Sequence, residues 1–148
     1  MNPDALEVRD LDITFRVRES DRAVVRGVSF SIRPGESYGL VGESGSGKST
    51  IALSVVRYLP SNGRVSNGSI KVNGVDPLSL HEQGLRKFRA GQVSMVYQEP
   101  VRALNPSLRV GRQVAEAFQV QGVAKDDALS QAQDMLRKVQ ISDPARVM

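Results

Sequence analysis

Apolar and polar residues alternate at Leu11, Ile13, Phe15 and Val17 and again at Val28, Phe30 and Ile32, the period of a half-buried strand. The N-terminal region is therefore expected to hold two strands of antiparallel type, closed by a turn at Pro34-Gly35. Tyr38-Gly39-Leu40-Val41 is a short, mostly apolar run of the kind that a parallel sheet buries on both faces. From 48 to 59 the apolar positions Ile51, Val55 and Leu59, with Ala52 and Val56 beside them, have helical spacing, and Pro60 ends the pattern. Residues 61–68 are rich in Ser, Asn and Gly and read as a loop, followed by a short strand over 70–72 and an Asn73-Gly74 turn. A polar helix over 79–90, an apolar strand over 93–97 and a loop containing Pro100 and Pro106 come next. One helix is then expected around Val110, Val114 and Phe118, and another around Ala128, Leu129, Ala132, Leu136 and Val139. Strands give way to helices after residue 110.

Composition narrows the chemistry. The 148 residues are 40% hydrophobic and 24% charged, enough for one ordinary core, and they include no cysteine and one histidine, His81. Disulfide frameworks, thiolate metal sites and His-rich zinc sites are excluded. The longest nearly apolar stretch, from Ile51 to Val56, is broken by Ser54 and is far short of the roughly 20 residues that span a bilayer. The first residues lack the basic flank and apolar run of a signal peptide, so an intracellular protein is expected. The net charge of +4 comes from 20 Lys+Arg against 16 Asp+Glu, divided evenly between the two halves of the chain with no basic tail. No nucleic-acid partner is expected from so small and well mixed an excess.

Gly42-Glu43-Ser44-Gly45-Ser46-Gly47-Lys48-Ser49 matches the phosphate-loop pattern G-x-x-x-x-G-K-[ST] at every fixed position. Glycines let successive N–H groups turn inward around a β-phosphate, and the helix that begins there aims its positive end at the same oxygens. Lys48 brings a mobile positive charge to the β- and γ-phosphates, and the Ser49 hydroxyl is a hard oxygen ligand suited to Mg²⁺. At this chain's own residue frequencies a chance match has a probability on the order of one in two hundred, and the predicted strand before and helix after the motif lower it further.

Here the sequence resembles the ATP-binding subunits of ABC transporters, and more narrowly those of dipeptide, oligopeptide and nickel importers. The resemblance rests on residues 42–50, on Val28-Ser29-Phe30-Ser31-Ile32-Arg33-Pro34-Gly35-Glu36 and on Met95-Val96-Tyr97-Gln98-Glu99-Pro100. It continues through Ala103-Leu104-Asn105-Pro106 and Val110-Gly111, wording similar to the peptide and nickel branch. It implies an α/β fold: a phosphate-loop core with an antiparallel β layer (1–36 and 69–75), the loop's strand and helix (37–60), a helix and glutamine-bearing strand (79–98) and the start of a helical subdomain (99–148). By position, Gln98 would reach the Mg²⁺ and the attacking water, Phe15 would stack on adenine, and Thr50 would help hold the α-phosphate. Implied cofactors are ATP and Mg²⁺. Implied partners are two membrane permeases met by the region after Gln98, a second ATPase subunit in a head-to-tail dimer and an extracytoplasmic substrate-binding protein. The implied location is the inner face of the cell membrane.

Other features take plainer readings. Leu129-Ser130-Gln131-Ala132-Gln133 lacks both glycines of the ABC signature and reads as helix, and Asn73-Gly74-Val75-Asp76 lacks the lysine of a guanine-reading motif and reads as a turn. His81 is expected in solvent, and Arg86, Lys87 and Arg89 on an exposed helix face.

No run of four apolar residues followed by Asp occurs, so the acidic strand that holds the Mg²⁺ water shell in this fold is not in the chain. Residues 141–148 resemble the family's wording just before its signature, so the chain is expected to be an N-terminal piece that binds nucleotide with background turnover. Residues 38–41 would then lose a neighbour and expose a bare edge that lowers solubility. Two further readings stay open: a nucleotide- or permease-binding module without ATPase activity, and a small nucleotide kinase, against which the 41 residues before the loop argue.

Overall fold

The computed structural model describes residues 3–99 and 103–148. The chain divides into two compact units, Met1–Leu85 and Arg86–Met148. The first unit carries strands β1 (Leu6–Val17), β2 (Ser20–Ile32) and β3 (Gly63–Val72) in one antiparallel sheet of order β2-β1-β3, with helix α1 (Lys48–Val55). Its core is Val8, Leu11, Ile13, Val25 and Ile70 of the sheet together with Ile51 of α1. Each such aliphatic side chain contributes about 1.5–3 kcal/mol when withdrawn from water, which is what fixes α1 to the sheet.

Val8 and Leu11 are three residues apart yet both buried. A strand alternates faces every residue, so an extra residue must lie between them. It does: β1 bulges at Asp10, whose φ of 45° is left-handed, and the register shifts against both neighbours at that point. Asp10 donates its N–H to Ser29 Oγ at 2.8 Å, and Gly68 of β3 lies so close that a Cβ would collide with the carbonyls of Arg9 and Asp10. Across the far end of the sheet, Arg64 of β3 reaches over β1 to pair with Asp21 of β2, its Nη1 standing 3.3 Å from Asp21 Oδ1. That guanidinium, chiefly through the hydrogen bond, holds the Asp21 carboxyl below its ordinary range.

α2 (Glu82–Gly91) contains the point at which the units divide. The second unit carries α3 (Val110–Val120) and α4 (Lys125–Lys138), and a short 3₁₀ turn over Ala145–Val147. α3 and α4 meet through Ala115, Ala128 and Ala132, all fully buried, with Val114, Phe118 and Leu129 around them. Asp126 and Asp127 in the first turn of α4 and Arg137 and Lys138 in its last complement the helix dipole.

Several expectations need correction. The segment 61–68 is not a loop, because β3 begins at Gly63 and runs as an edge strand on β1. The helices expected over 48–59 and 79–90 are α1, Lys48–Val55, and α2, Glu82–Gly91. The strands expected over 38–41 and 93–97 pair with nothing among the described residues. A strand exists only through a hydrogen-bonded neighbour. Val41 and Val96 are accordingly 97% and 90% exposed, while the Tyr38 ring stacks on Phe30 with centroids 5.0 Å apart. Pro100, expected in a loop, lies outside the described residues. Residues 129–133 are inside α4, residues 73–74 form a turn closed by the Val72–Val75 bridge, and His81, Arg86 and Lys87 are exposed, as expected, whereas Arg89, expected on the same exposed face, is half-buried.

Candidate functional site

α1 starts at Lys48 with Gly47 as its N-cap, in left-handed conformation (φ 91°, ψ 1°). A glycine cap has no side chain to bond the first-turn amides, so those donors remain for a ligand. Gly45 is left-handed as well (φ 84°), and Ser46 N–H donates to Glu43 O at 3.2 Å, winding the loop into a turn ahead of the helix. Gly47 is buried, and the residues before it, 42–46, are exposed.

The Lys48 ammonium folds back over this loop. Nζ donates to Gly42 O and Glu43 O, each at 2.7 Å, and to Ser46 Oγ at 3.2 Å. The positive charge therefore sits at the lip of the loop, against carbonyls of its own turn. An anion with several oxygens would meet that charge together with the free amides of the helix start.

The structure thus joins Gly42, Glu43, Ser46, Gly47 and Lys48 into one arrangement, with Ser44 and Gly45 on its exposed bend. Ser49, exposed, and Thr50, half-buried, follow in the first turn of α1. Phe15 is opposite Arg22 and Gly63, and its ring lies against Gly63, where a Cβ would come within 2.8 Å of Cε1. The ring covers a strand glycine at the margin of the core. Gln98 belongs to the second unit, exposed on a bend after the segment 93–97.

The floor of the loop is what the sequence reading missed. A Cβ on Gly47 would lie 3.0 Å from Val25 Cγ2, 3.3 Å from Val24 O and 3.9 Å from Val24 Cγ1. Both valines face the loop because β2 bulges there: Ile13 pairs with Val25 and Thr14 with Ala23, leaving Val24 as an extra residue. The signal was present in Ala23-Val24-Val25, three apolar residues in a row where a regular strand alternates.

Magnesium can be tested against the donors present. Among the described residues no group of three or more His, Cys, Asp or Glu could hold a metal ion. The exposed Ser49 hydroxyl next to Lys48 fits instead a cation that arrives on phosphate oxygens and takes one protein ligand. Among the described residues no helix is long and apolar enough to cross a membrane.

A glycine loop, a lysine folded over it and a helix start behind it define a phosphate-loop nucleotide-binding fold. The model of the ABC transporter family matches residues 25–148, and the chain belongs to that family. It is 43% identical over 150 residues to the probable peptide ABC transporter ATP-binding protein y4tR of Sinorhizobium fredii, covering 98% of this chain and 45% of that protein. It is 40% identical over 144 residues to the oligopeptide transport ATP-binding protein OppD of Salmonella typhimurium, covering 97% and 43%. The chain thus spans somewhat less than half the length of these curated relatives. Among solved structures, the ATP-binding cassette MJ0796, in a dimeric post-hydrolysis state with ADP and Pi, matches with a TM-score of 0.77. That match covers 96% of this chain and 59% of the other at 19% identity, a likeness of fold.

Proposed function

We propose that this chain is the nucleotide-binding part of an ATP-binding subunit of a peptide-importing ABC transporter, and that its phosphate loop binds Mg-ATP. The observation that carries the reading is the Lys48 ammonium held on Gly42 O and Glu43 O beside an uncapped helix start. Peptide is favoured over nickel as the solute class because the relatives named above are peptide-type proteins. In this reading Ser49 is the protein's ligand to Mg²⁺, Thr50 holds the α-phosphate, Phe15 offers its free edge to adenine, and Gln98 meets the metal and the water. Two permeases, a second ATPase subunit and an extracytoplasmic binding protein complete the transporter at the inner face of the membrane.

A second reading, nucleotide binding without turnover, is favoured for these 148 residues by the lack of any four-residue apolar run ending in Asp. Equilibrium titration with ATP, with and without Mg²⁺, tests the first reading. Saturable binding that Mg²⁺ strengthens, with that gain lost in Ser49→Ala, is the expected result. No binding in either condition overturns it. Phosphate release measured on the same sample separates the two readings.

A further inference from the structure

Between Leu11 and Thr14, β1 takes three steps, whereas β2 takes five between their partners Val28 and Ala23. Two extra residues are thus packed into β2, one within the loop's floor and one just after it. One is Val24; the other falls at Arg26-Gly27, opposite Asp12, where Gly27 is left-handed with φ 58°. A bulge takes an amide out of the ladder, and an amide without an acceptor costs free energy. Here Asp12 Oδ1 accepts the Gly27 N–H at 2.6 Å.

We propose that the Asp12 carboxylate is a positioning group for the phosphate loop. By holding the Gly27 amide it fixes the double bulge of β2, and the bulge seats Val24 and Val25 beneath Gly47. If β2 straightened, its register on β1 would slide and the valine pair would leave Gly47. Gly47 is both the hinge of the loop and the cap of α1, so its seat sets where the first-turn amides and Lys48 point. A loop already held in its bound form loses less freedom when a ligand arrives. This inference rests on the nucleotide reading above and adds to it a residue from outside the motif.

The test compares Mg-ATP affinity by calorimetry with melting temperature in four proteins. Asp12→Asn keeps an acceptor oxygen and is expected to bind within about twofold of the unaltered chain, while Asp12→Ala loses about tenfold. Ser29→Ala is the control, since it removes the acceptor of Asp10 N–H at the neighbouring bulge and leaves the valine pair in place. It is expected to lower the melting temperature without changing affinity. Equal affinity in Asp12→Ala and the unaltered chain overturns the inference alone, as does a loss in Ser29→Ala matching that in Asp12→Ala. No binding by the unaltered chain overturns the nucleotide reading and this inference together. Should Asp12→Ala fail to fold, Val24→Ala, a truncation at a surface position, carries the same expectation of weakened binding with an unchanged melting temperature.

Discussion

Gly47 rests on Val25: a single added carbon at Gly47 would stand 3.0 Å from Val25 Cγ2 and 3.3 Å from the Val24 carbonyl. The contact ties the phosphate loop to the core, because Val25 is 4% exposed and packs with Ile13 and Ile51. Gly47→Ala is therefore strained twice, by its left-handed backbone and by its neighbours. A loss of about 1–3 kcal/mol in chemical denaturation is expected, with nucleotide binding reduced to the detection limit. Unchanged stability would show that the loop is not seated on β2.

The bulge at Asp10 makes a separate demand on Gly68, which is left-handed (φ 86°) and pressed against the backbone of Arg9 and Asp10. Backbone cannot swing aside as a side chain can. Gly68→Ala is expected to destabilise the sheet by about 1–3 kcal/mol, read from the denaturation midpoint at unchanged slope. Gly45→Ala, where nothing lies within 4 Å, bears backbone strain alone and is expected to cost less.

Much of this fold can be read directly from the residues. The loop 42–49, the half-buried strands near Leu11 and Phe30 and the helices of the second unit follow from fixed motif positions and apolar period. The end of β3, residues 70–72, was legible, but its first part was hidden because an edge strand tolerates the Ser, Asn and Gly that otherwise spell a loop. The runs 38–41 and 93–97 show the reverse: apolar composition predicts a strand, but pairing makes one. Of the candidate site, the residues next to one another in sequence were legible, while Val24 and Asp12 were not. Their roles come from a register shift that no local pattern records.

In the second unit, α3 and α4 approach closely because Ala115, Ala128 and Ala132 leave room. Ala128→Leu is expected to cost about 1–3 kcal/mol through overpacking. Helical circular dichroism during thermal melting reads the effect, and an equal or higher melting temperature would show slack at this contact.

The Asp21–Arg64 pair gives a pH signature. Its carboxyl is held below the usual range, mainly by the hydrogen bond from Arg64, so the pair's contribution is complete above the ordinary carboxylate pKa. It is lost as pH falls through the lowered value. Asp21→Asn should thus be slightly less stable than the unaltered chain at neutral pH and equal to it in strong acid. Both groups are exposed, so the gap is small and shrinks with salt. Parallel melting curves at neutral and acid pH check it, and a gap that widens on acidification would contradict the assignment.

Calorimetric titration of Mg-ATP into the unaltered chain and into Lys48→Ala tests the central claim most directly, because Lys48 is the charge folded over the loop. The account predicts saturable one-site binding by the first and at least about a tenfold loss in the second, with melting temperatures close together. Equal affinity in the two proteins would contradict it.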